Sequence, residues 1–136
     1  MPSLSDYGAI ISRYSTIFRQ PPSLILNENE LKITLYFITS FYGETQLRVR
    51  EWFDSDDKKI RYRYCWERNN SHPGHISAWE NEHDHDGLQT NPHHHHYVPG
   101  NRHQVQNNYN VRDLESALSV VKDYLLSNLE YDGKEI

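Results

Sequence analysis

Two neighbouring segments constrain the fold of this chain more than any other feature of its sequence. Residues 46–53 and 60–67 alternate apolar or aromatic side chains with polar or charged ones, and the intervening residues are rich in aspartate and lysine. Alternation with a period of two is typical of a half-buried β-strand, and clusters that contain Asp and Ser favour turns. The pattern therefore predicts an antiparallel hairpin with one side turned to a hydrophobic core.

The register of this hairpin decides which side chains lie together. If Glu51 pairs with Tyr62 and Phe53 pairs with Ile60, one face is apolar and aromatic and has Glu51 as its single carboxylate. In this register the other face carries four arginines around Trp52, namely Arg48, Arg50, Arg61 and Arg63. A slip of one residue would exchange the two faces.

The clustered arginines need a neutralising partner, because like charges across neighbouring strands destabilise a sheet. RNA suits them, since phosphates bind guanidinium groups and bases stack on aromatic rings. An acidic protein segment would also neutralise them. A third interpretation is a solvated surface on which the arginines pair with acids of the chain itself, such as Glu44 and Glu67.

The remaining segments predict an α+β protein. Apolar residues recur at helical spacing near the start of the chain, where Ser3 and Asp6 resemble a capping pair, and again near its end, where Asn110 is placed as the N-cap. Further strands are predicted at 24–26, 31–41 and 75–80. We expect one domain over residues 1–136, in which an N-terminal and a C-terminal helix pack on a single antiparallel sheet of four to five strands.

Composition narrows the classes of function. The chain has no run of about 18 apolar residues and no secretory signal pattern, so we expect a cytoplasmic protein without a membrane partner. Its single cysteine, Cys65, is predicted to be a small buried residue rather than a metal ligand. The net charge of -5 argues against nonspecific nucleic-acid binding by the whole surface, although residues 44–71 carry seven basic residues against six acidic ones.

All nine histidines of the chain lie between positions 72 and 103. Residues 82–109 lack any periodicity and are predicted to form a long irregular histidine-rich loop, whereas 130–136 are predicted to be a frayed tail. Lone histidines such as His72, His75 and His85 are expected to be solvated loop residues.

Four consecutive histidines, 93–96, stand between two prolines that stiffen the backbone. Side chains alternate along an extended segment, so at most two of these imidazoles can act at one site, either His93 with His95 or His94 with His96. No cysteine accompanies them, and we therefore expect no metal site and no cofactor beyond weak zinc or nickel binding by the loop. Paired imidazoles, or an imidazole with a carboxylate, can exchange protons near neutral pH, as the attack of an RNA 2'-hydroxyl on its phosphate requires.

Four motifs in order resemble the TumE-type toxins of toxin-antitoxin pairs: RVREWFD at 48–54, IRYRYCW at 60–66, WEN at 79–81 and NPHHHHYVPG at 91–100. The resemblance covers about residues 36–126 and implies a small toxin that acts on RNA, with an antitoxin partner that often has a helix-turn-helix part. Two departures are His95, where the family commonly has lysine, and HDHD at 83–86, where a P-H-H motif is more usual. The motif positions imply functional roles for Glu51, Arg61, Tyr62, Tyr64, Trp66, Glu80, Asn81, His93, His94 and His96.

The leading hypothesis is a metal-independent endoribonuclease whose site is shared by the histidine run, Glu51 and the hairpin. An alternative is a metal-binding or protein-interaction module without chemistry of its own, which uses the histidine-rich loop. A transferase toxin that consumes a nucleotide is disfavoured, because the chain lacks a glycine-rich phosphate loop. The catalytic candidates are Glu51, His93, His94 and His96, and the substrate-binding candidates are Arg48, Arg50, Arg61, Arg63, Tyr62, Tyr64, Trp66, Glu80 and Asn81.

Overall fold

The computed structural model describes residues 4–69 and 73–134. It contains one antiparallel sheet of seven strands, in which each strand pairs with the next one along the chain. The strands are β1 Ser23–Leu26, β2 Glu30–Tyr36, β3 Thr45–Phe53, β4 Lys59–Arg68, β5 His75–Glu80, β6 His94–His96 and β7 Val105–Asn107. The helices are α1 Leu4–Arg13 and α2 Leu114–Ser127, with a single 3-10 turn at Ser15–Ile17 after α1. The α+β class with one antiparallel sheet is confirmed, but the prediction of four to five strands is wrong.

The two additional strands lie in the segment that was expected to be irregular. β6 pairs with β5 and β7 pairs with β6, so the histidine run belongs to the sheet. Each of these strands has three residues, HHH and VQN, which is too short for a period of two to be recognised. Residues 82–109 are therefore not irregular throughout, since pairing with β5 extends the sheet into them.

The hairpin of β3 and β4 has the expected register. Glu51 pairs with Tyr62 and Trp52 pairs with Arg61, so the predicted division into an aromatic face and an arginine face is confirmed. A bulge after Trp52 corrects one detail, because Phe53 lies opposite Lys59 rather than Ile60.

Both helices cover the aromatic face of the sheet. Alternate residues of β2 and β3 are buried there, and Trp66 of β4 is fully buried with its ring centroid 6.1 Å from that of Tyr124 in α2. Tyr7 of α1 reaches the same face and donates a hydrogen bond to Glu51. Within the described residues no helix covers the arginine face, which we call the open face of the sheet.

The ends of the helical regions correct two expectations. Asp113 rather than Asn110 caps α2, since its carboxylate accepts a 2.8 Å hydrogen bond from the Ser116 amide and the Ser116 side chain completes a capping box. Tyr131, in the predicted frayed tail, is buried and its hydroxyl accepts a hydrogen bond from Ser77. Ser3 lies outside the described residues.

Two further properties concern the cysteine and the lengths of the helices. Cys65 is buried and unpaired, as predicted. The helices found among residues 4–69 and 73–134 are all too short and too polar to reach across a lipid bilayer.

Candidate site of glutamate and histidine on the open face

A row of directly paired residues crosses the open face of the sheet. Arg50 lies opposite Arg63, Arg63 opposite Glu80, and Glu80 opposite His94. Side chains that are directly opposite on neighbouring strands project to the same side of a sheet. The row therefore joins the arginines of the hairpin to the histidine run, which lies far away in the sequence.

Glu80, His94 and His96 form a buried group at the end of this row, which we call the histidine cluster. The three residues are between 0% and 5% exposed. Nε2 of His94 lies 3.1 Å from Oε1 of Glu80, and Nε2 of His96 lies 3.4 Å from the same oxygen. His94 and His96 point to this side while His93 and His95 point to the helices, as alternation along an extended segment predicts.

The hydrogen bonds of the two imidazoles determine which nitrogen carries a proton. Nδ1 of His94 lies 2.8 Å from the carbonyl oxygen of Pro92, and Nδ1 of His96 lies 3.0 Å from that of Arg102. A carbonyl oxygen only accepts, so both Nδ1 atoms must donate. In a neutral ring the Nε2 atom then carries a lone pair, and both Nε2 atoms face Glu80.

The charge of the cluster is set by its surroundings. Burial alone would raise the pKa of the Glu80 carboxyl, but the hydrogen bond from His94 and the close approach of the His96 imidazole outweigh burial and hold that pKa well below its usual range. Arg63 adds a positive charge, since its Nε lies 3.0 Å from Oε2 of Glu80, although the two groups are not oriented for a hydrogen bond. Glu80 is therefore an anion at neutral pH.

Two further histidines border the cluster. The ring centroid of His75 lies 5.6 Å from that of His96, and the ring centroid of His85 lies 4.1 Å from that of His94. Burial and the charge of His96 lower the pKa of His75 to about 4, and burial also lowers the pKa of His85. Both rings are thus neutral near pH 7. His75 is buried in β5, which corrects the expectation of a solvated loop residue, and His72 lies outside the described residues.

Glu51 lies on the other face of the sheet, under α1. It accepts hydrogen bonds from the hydroxyls of Tyr7 and Tyr64, and Nζ of Lys59 lies 3.4 Å from its Oε2. Burial, together with the Glu51 carboxylate, raises the pKa of both tyrosines, so each remains a neutral donor. Glu51 also borders a cavity of about 200 Å³ between α1 and α2.

The expectation of one site shared by Glu51, His94 and His96 is therefore corrected. His93 alone of the catalytic candidates in the run faces the Glu51 side, where its Nδ1 lies 2.9 Å from the Tyr62 hydroxyl and its ring stacks on Tyr62. The carboxylate that meets His94 and His96 is Glu80, which had been expected to bind substrate.

A comparison with known protein families matches residues 9–128 to the family described as Toxin TumE. The chain belongs to the TumE toxin family. The match runs from α1 into the end of α2, so it includes the N-terminal segment that the motifs did not reach. No functionally characterised protein and no solved structure matches the chain.

In this TumE-family chain, acidic residues of the same chain partly neutralise the arginines of the open face. Arg48 pairs with Glu67 at 2.9 Å and Arg50 pairs with Glu30 at 2.6 Å, which supports the interpretation of acids within the chain. Arg61 instead places its guanidinium 5.6 Å from the centre of the Trp52 ring. The face keeps exposed positive charge at Arg48 and Arg61.

The other substrate-binding candidates of the family motifs have structural contacts. Tyr62, Tyr64 and Trp66 are at most 2% exposed in the core, which excludes them as exposed platforms for stacking bases. The Asn81 side chain accepts a 2.9 Å hydrogen bond from the Tyr62 amide and donates one of 3.2 Å to the Ile60 carbonyl oxygen. Asn81 therefore fixes the end of β4.

Several residues around these sites were not predicted from the sequence. Lys59 and Tyr7 meet Glu51, and buried Asn108 donates to the Tyr62 hydroxyl at 3.1 Å. Tyr7 and Asn108 are far from their partners in the sequence, and no local pattern indicates those two contacts, whereas Lys59 meets Glu51 across the hairpin. The partnership of Glu80 with His94 would have required the pairing of β5 with β6, which the sequence pattern does not show.

Proposed function

We propose that this chain is the toxin of a toxin-antitoxin pair and that it cleaves RNA by acid-base chemistry at the histidine cluster, without a metal ion. Membership of the TumE toxin family supports the toxin role. The observation that carries the reaction is the row Arg50, Arg63, Glu80 and His94, which puts cationic groups beside two imidazoles on one open face.

The cluster offers both an acid and a base for attack of a 2'-hydroxyl on the adjacent phosphate. With its Nδ1 bonded to Pro92, His94 can hydrogen-bond Glu80 through Nε2 only when it is protonated, and in that form it is an acid. Nε2 of His96 has no hydrogen-bond partner among the described residues, so its lone pair is available as a base. His96 takes the 2'-hydroxyl proton, His94 protonates the 5'-oxygen that leaves, and the products are a 2',3'-cyclic phosphate and a 5'-hydroxyl.

Positive charge on the open face supports this reaction. A pentavalent phosphate develops extra negative charge during in-line attack, and guanidinium groups stabilise it. Arg63 is the arginine nearest to the cluster, and Arg48 and Arg61 are exposed on the same face to hold the RNA backbone. Glu80 orients His94 through the 3.1 Å contact between its Oε1 and Nε2 of the imidazole.

RNA reaches the cluster only if the segment that covers it moves. His85 lies against His94, and within its segment the Leu88 amide donates a 2.9 Å hydrogen bond to the His85 carbonyl oxygen, whereas Thr90 joins the end of the segment to Asn107 and Asn108. The His85 amide also donates to the Asn91 side chain at 2.6 Å. A segment with such local contacts can open as a unit, as loops over active sites do.

Cleavage of RNA by the purified, untagged full chain in EDTA tests the proposal. We expect the wild type to produce cyclic phosphate ends, and we expect His94→Ala and His96→Ala to lose at least about 100-fold in rate. His103→Ala, at an exposed position, is the matched control and should keep the wild-type rate. Intact RNA with all four proteins, or cleavage that appears only after a metal ion is added, would contradict the proposal.

A toxin implies an antitoxin partner. That this partner is of the helix-turn-helix type, and that the pair acts in the cytoplasm, are predictions from the family resemblance. Co-expression with the product of the neighbouring gene tests the partner, because a cognate antitoxin should form a stable complex with this chain and restore growth.

A second candidate function is a metal-binding or interaction module without chemistry. One observation favours it, namely three ligand atoms of Glu80, His94 and His96 that all lie within 4.8 Å of one another. Normal metal binding by a protein that never cleaves RNA would support this function over the first.

A further inference from the structure

We propose that Glu80, His94 and His96 form a specific site for one divalent first-row transition-metal ion, for which zinc is the probe. The inference goes beyond RNA cleavage, because it needs neither substrate nor catalysis. It also revises the expectation from the sequence that the histidine-rich segment binds metal only weakly, as a flexible loop.

The first support is the spacing of the ligand atoms. Zinc lies about 2.0–2.2 Å from nitrogen and oxygen ligands, so two ligands at a tetrahedral angle are roughly 3.3–3.6 Å apart. The two Nε2 atoms lie 3.1 Å and 3.4 Å from Oε1 of Glu80, and all three ligand atoms lie within 4.8 Å of one another. Both nitrogen–oxygen separations are within a few tenths of an ångström of the tetrahedral value, and the two Nε2 atoms would need to approach each other by at most about 1.5 Å.

The second support is the orientation of the two rings. Metal-bound histidines usually donate their other ring nitrogen to a carbonyl or carboxylate, which fixes the tautomer and aims the lone pair at the ion. His94 and His96 both do this, through Pro92 and Arg102. These hydrogen bonds direct both Nε2 atoms towards Glu80, so the fold positions the ligand atoms.

The third support is electrostatic, because the cluster contains buried polar atoms that lack a hydrogen-bond partner among the described residues. When both imidazoles are neutral, their two Nε2 lone pairs face one carboxylate oxygen in a buried place, where groups that only accept repel one another unless a proton or a cation lies between them. Nε2 of His96 and Oε2 of Glu80 have no hydrogen-bond partner among residues 4–69 and 73–134. A divalent cation would satisfy all three groups at once.

The groups beside the cluster affect the zinc affinity of the site and the access of an ion to it. Arg63 weakens binding through its positive charge near Oε2 of Glu80. His75 and His85 are neutral rings beside the cluster, and His85 lies on the partly exposed side from which an ion or water would enter. Two imidazoles and one carboxylate leave at least one coordination position open, since tetrahedral zinc takes four ligands.

Zinc titration of the metal-stripped, untagged full chain tests the site. We expect one zinc per chain with a dissociation constant below about 1 µM, measured by competition with a chromophoric chelator. Glu80→Gln and His94→Ala should each weaken this binding by at least about 10-fold. His83→Ala and His103→Ala remove exposed histidines of the same segment and should leave the affinity within about 3-fold of the wild type.

Equal losses in the control variants, or unchanged binding in Glu80→Gln, would overturn the proposal in favour of adventitious binding by a histidine-rich chain. The zinc-edge X-ray absorption spectrum of the wild-type protein is a second test, and it does not depend on whether any variant folds. Two imidazoles with oxygen ligands are expected, whereas a shell of three or more imidazoles would contradict the site. Neither result depends on RNA, so a failure here leaves the cleavage test in EDTA unaffected.

Discussion

Glu51 and Glu80 are buried glutamates of the same sheet, at 2% and 1% exposure, but they have opposite kinds of neighbours. Glu51 faces the helices and is surrounded by donors, which are the hydroxyls of Tyr7 and Tyr64 and the ammonium group of Lys59. Glu80 faces the open side and meets the Nε2 atoms of two histidines. The comparison shows that burial alone does not identify a reactive carboxylate.

The partners decide what each carboxylate can do. Tyrosine and lysine hold their protons at neutral pH, so the charge of Glu51 is satisfied permanently and the group ties α1 to the sheet. Imidazoles gain and lose protons near neutral pH and also bind metal ions. Glu80 therefore belongs to an arrangement that can change its state, which chemistry and metal binding both require.

The same contrast appears within β6. Nδ1 of His95 accepts from the Gln106 side-chain amide at 3.0 Å, so a neutral ring carries its proton on Nε2, which lies 2.7 Å from the hydroxyl oxygens of both Ser77 and Tyr131 on the core side. In its neighbours His94 and His96, Nδ1 instead donates to a backbone carbonyl oxygen. Adjacent residues of one strand thus use Nδ1 as an acceptor on the core side and as a donor on the open face.

The largest expected effect concerns Glu51. Glu51→Ala removes the acceptor of two buried hydroxyls and of the partly exposed Lys59 ammonium, and we expect the free energy of unfolding to fall by about 3–5 kcal/mol. Urea denaturation followed by tryptophan fluorescence measures this change. A loss below about 1 kcal/mol would mean that the network around Glu51 does not tie α1 to the sheet as described.

The second effect concerns His95. His95→Ala removes a ring with both nitrogens hydrogen-bonded and a stacking contact with Trp79 at 5.0 Å, so we expect a loss of about 2–3 kcal/mol in unfolding free energy. Zinc affinity should stay within about 3-fold of the wild type, because the ring faces away from Glu80. Loss of zinc binding with unchanged stability would reverse the assignment of the two sides of β6.

The third effect concerns competition between zinc and protons. Both bind the same Nε2 lone pairs, so saturating zinc should slow RNA cleavage by at least about 10-fold, which corresponds to roughly 1.4 kcal/mol. Addition of EDTA to the same sample should restore the rate. Faster cleavage with zinc would show instead that the ion takes part in the reaction.

The smallest effect on stability concerns Arg61, which is exposed on the open face beside Trp52. Arg61→Ala should change the free energy of unfolding by less than about 0.5 kcal/mol. The RNA affinity of this variant should fall. The slope of log affinity against log salt concentration should decrease by the contribution of about one phosphate contact. Arg13→Ala, at an exposed arginine of α1 on the helical side, is the control and should keep the wild-type slope.

The sequence predicts much of the fold because its longest strands alternate clearly. The register of β3 and β4 and the separation of Glu51 from the arginines follow from a period of two. β6 and β7 could not be predicted, since strands of three residues are too short to show a period and the pairing of β6 depends on distant β5. The histidine cluster depends on that pairing, so its ligands could be named from the motifs but not placed together.

Two matched amide substitutions test most directly whether Glu80 takes part in the reaction and Glu51 has a structural role. RNA cleavage by Glu80→Gln and Glu51→Gln should be compared with the wild type in EDTA, at a temperature where circular dichroism shows all three proteins folded. We predict a loss of at least about 100-fold for Glu80→Gln and a rate within about 3-fold of the wild type for Glu51→Gln. A full rate in Glu80→Gln together with an inactive Glu51→Gln would contradict the account and place the chemistry under α1.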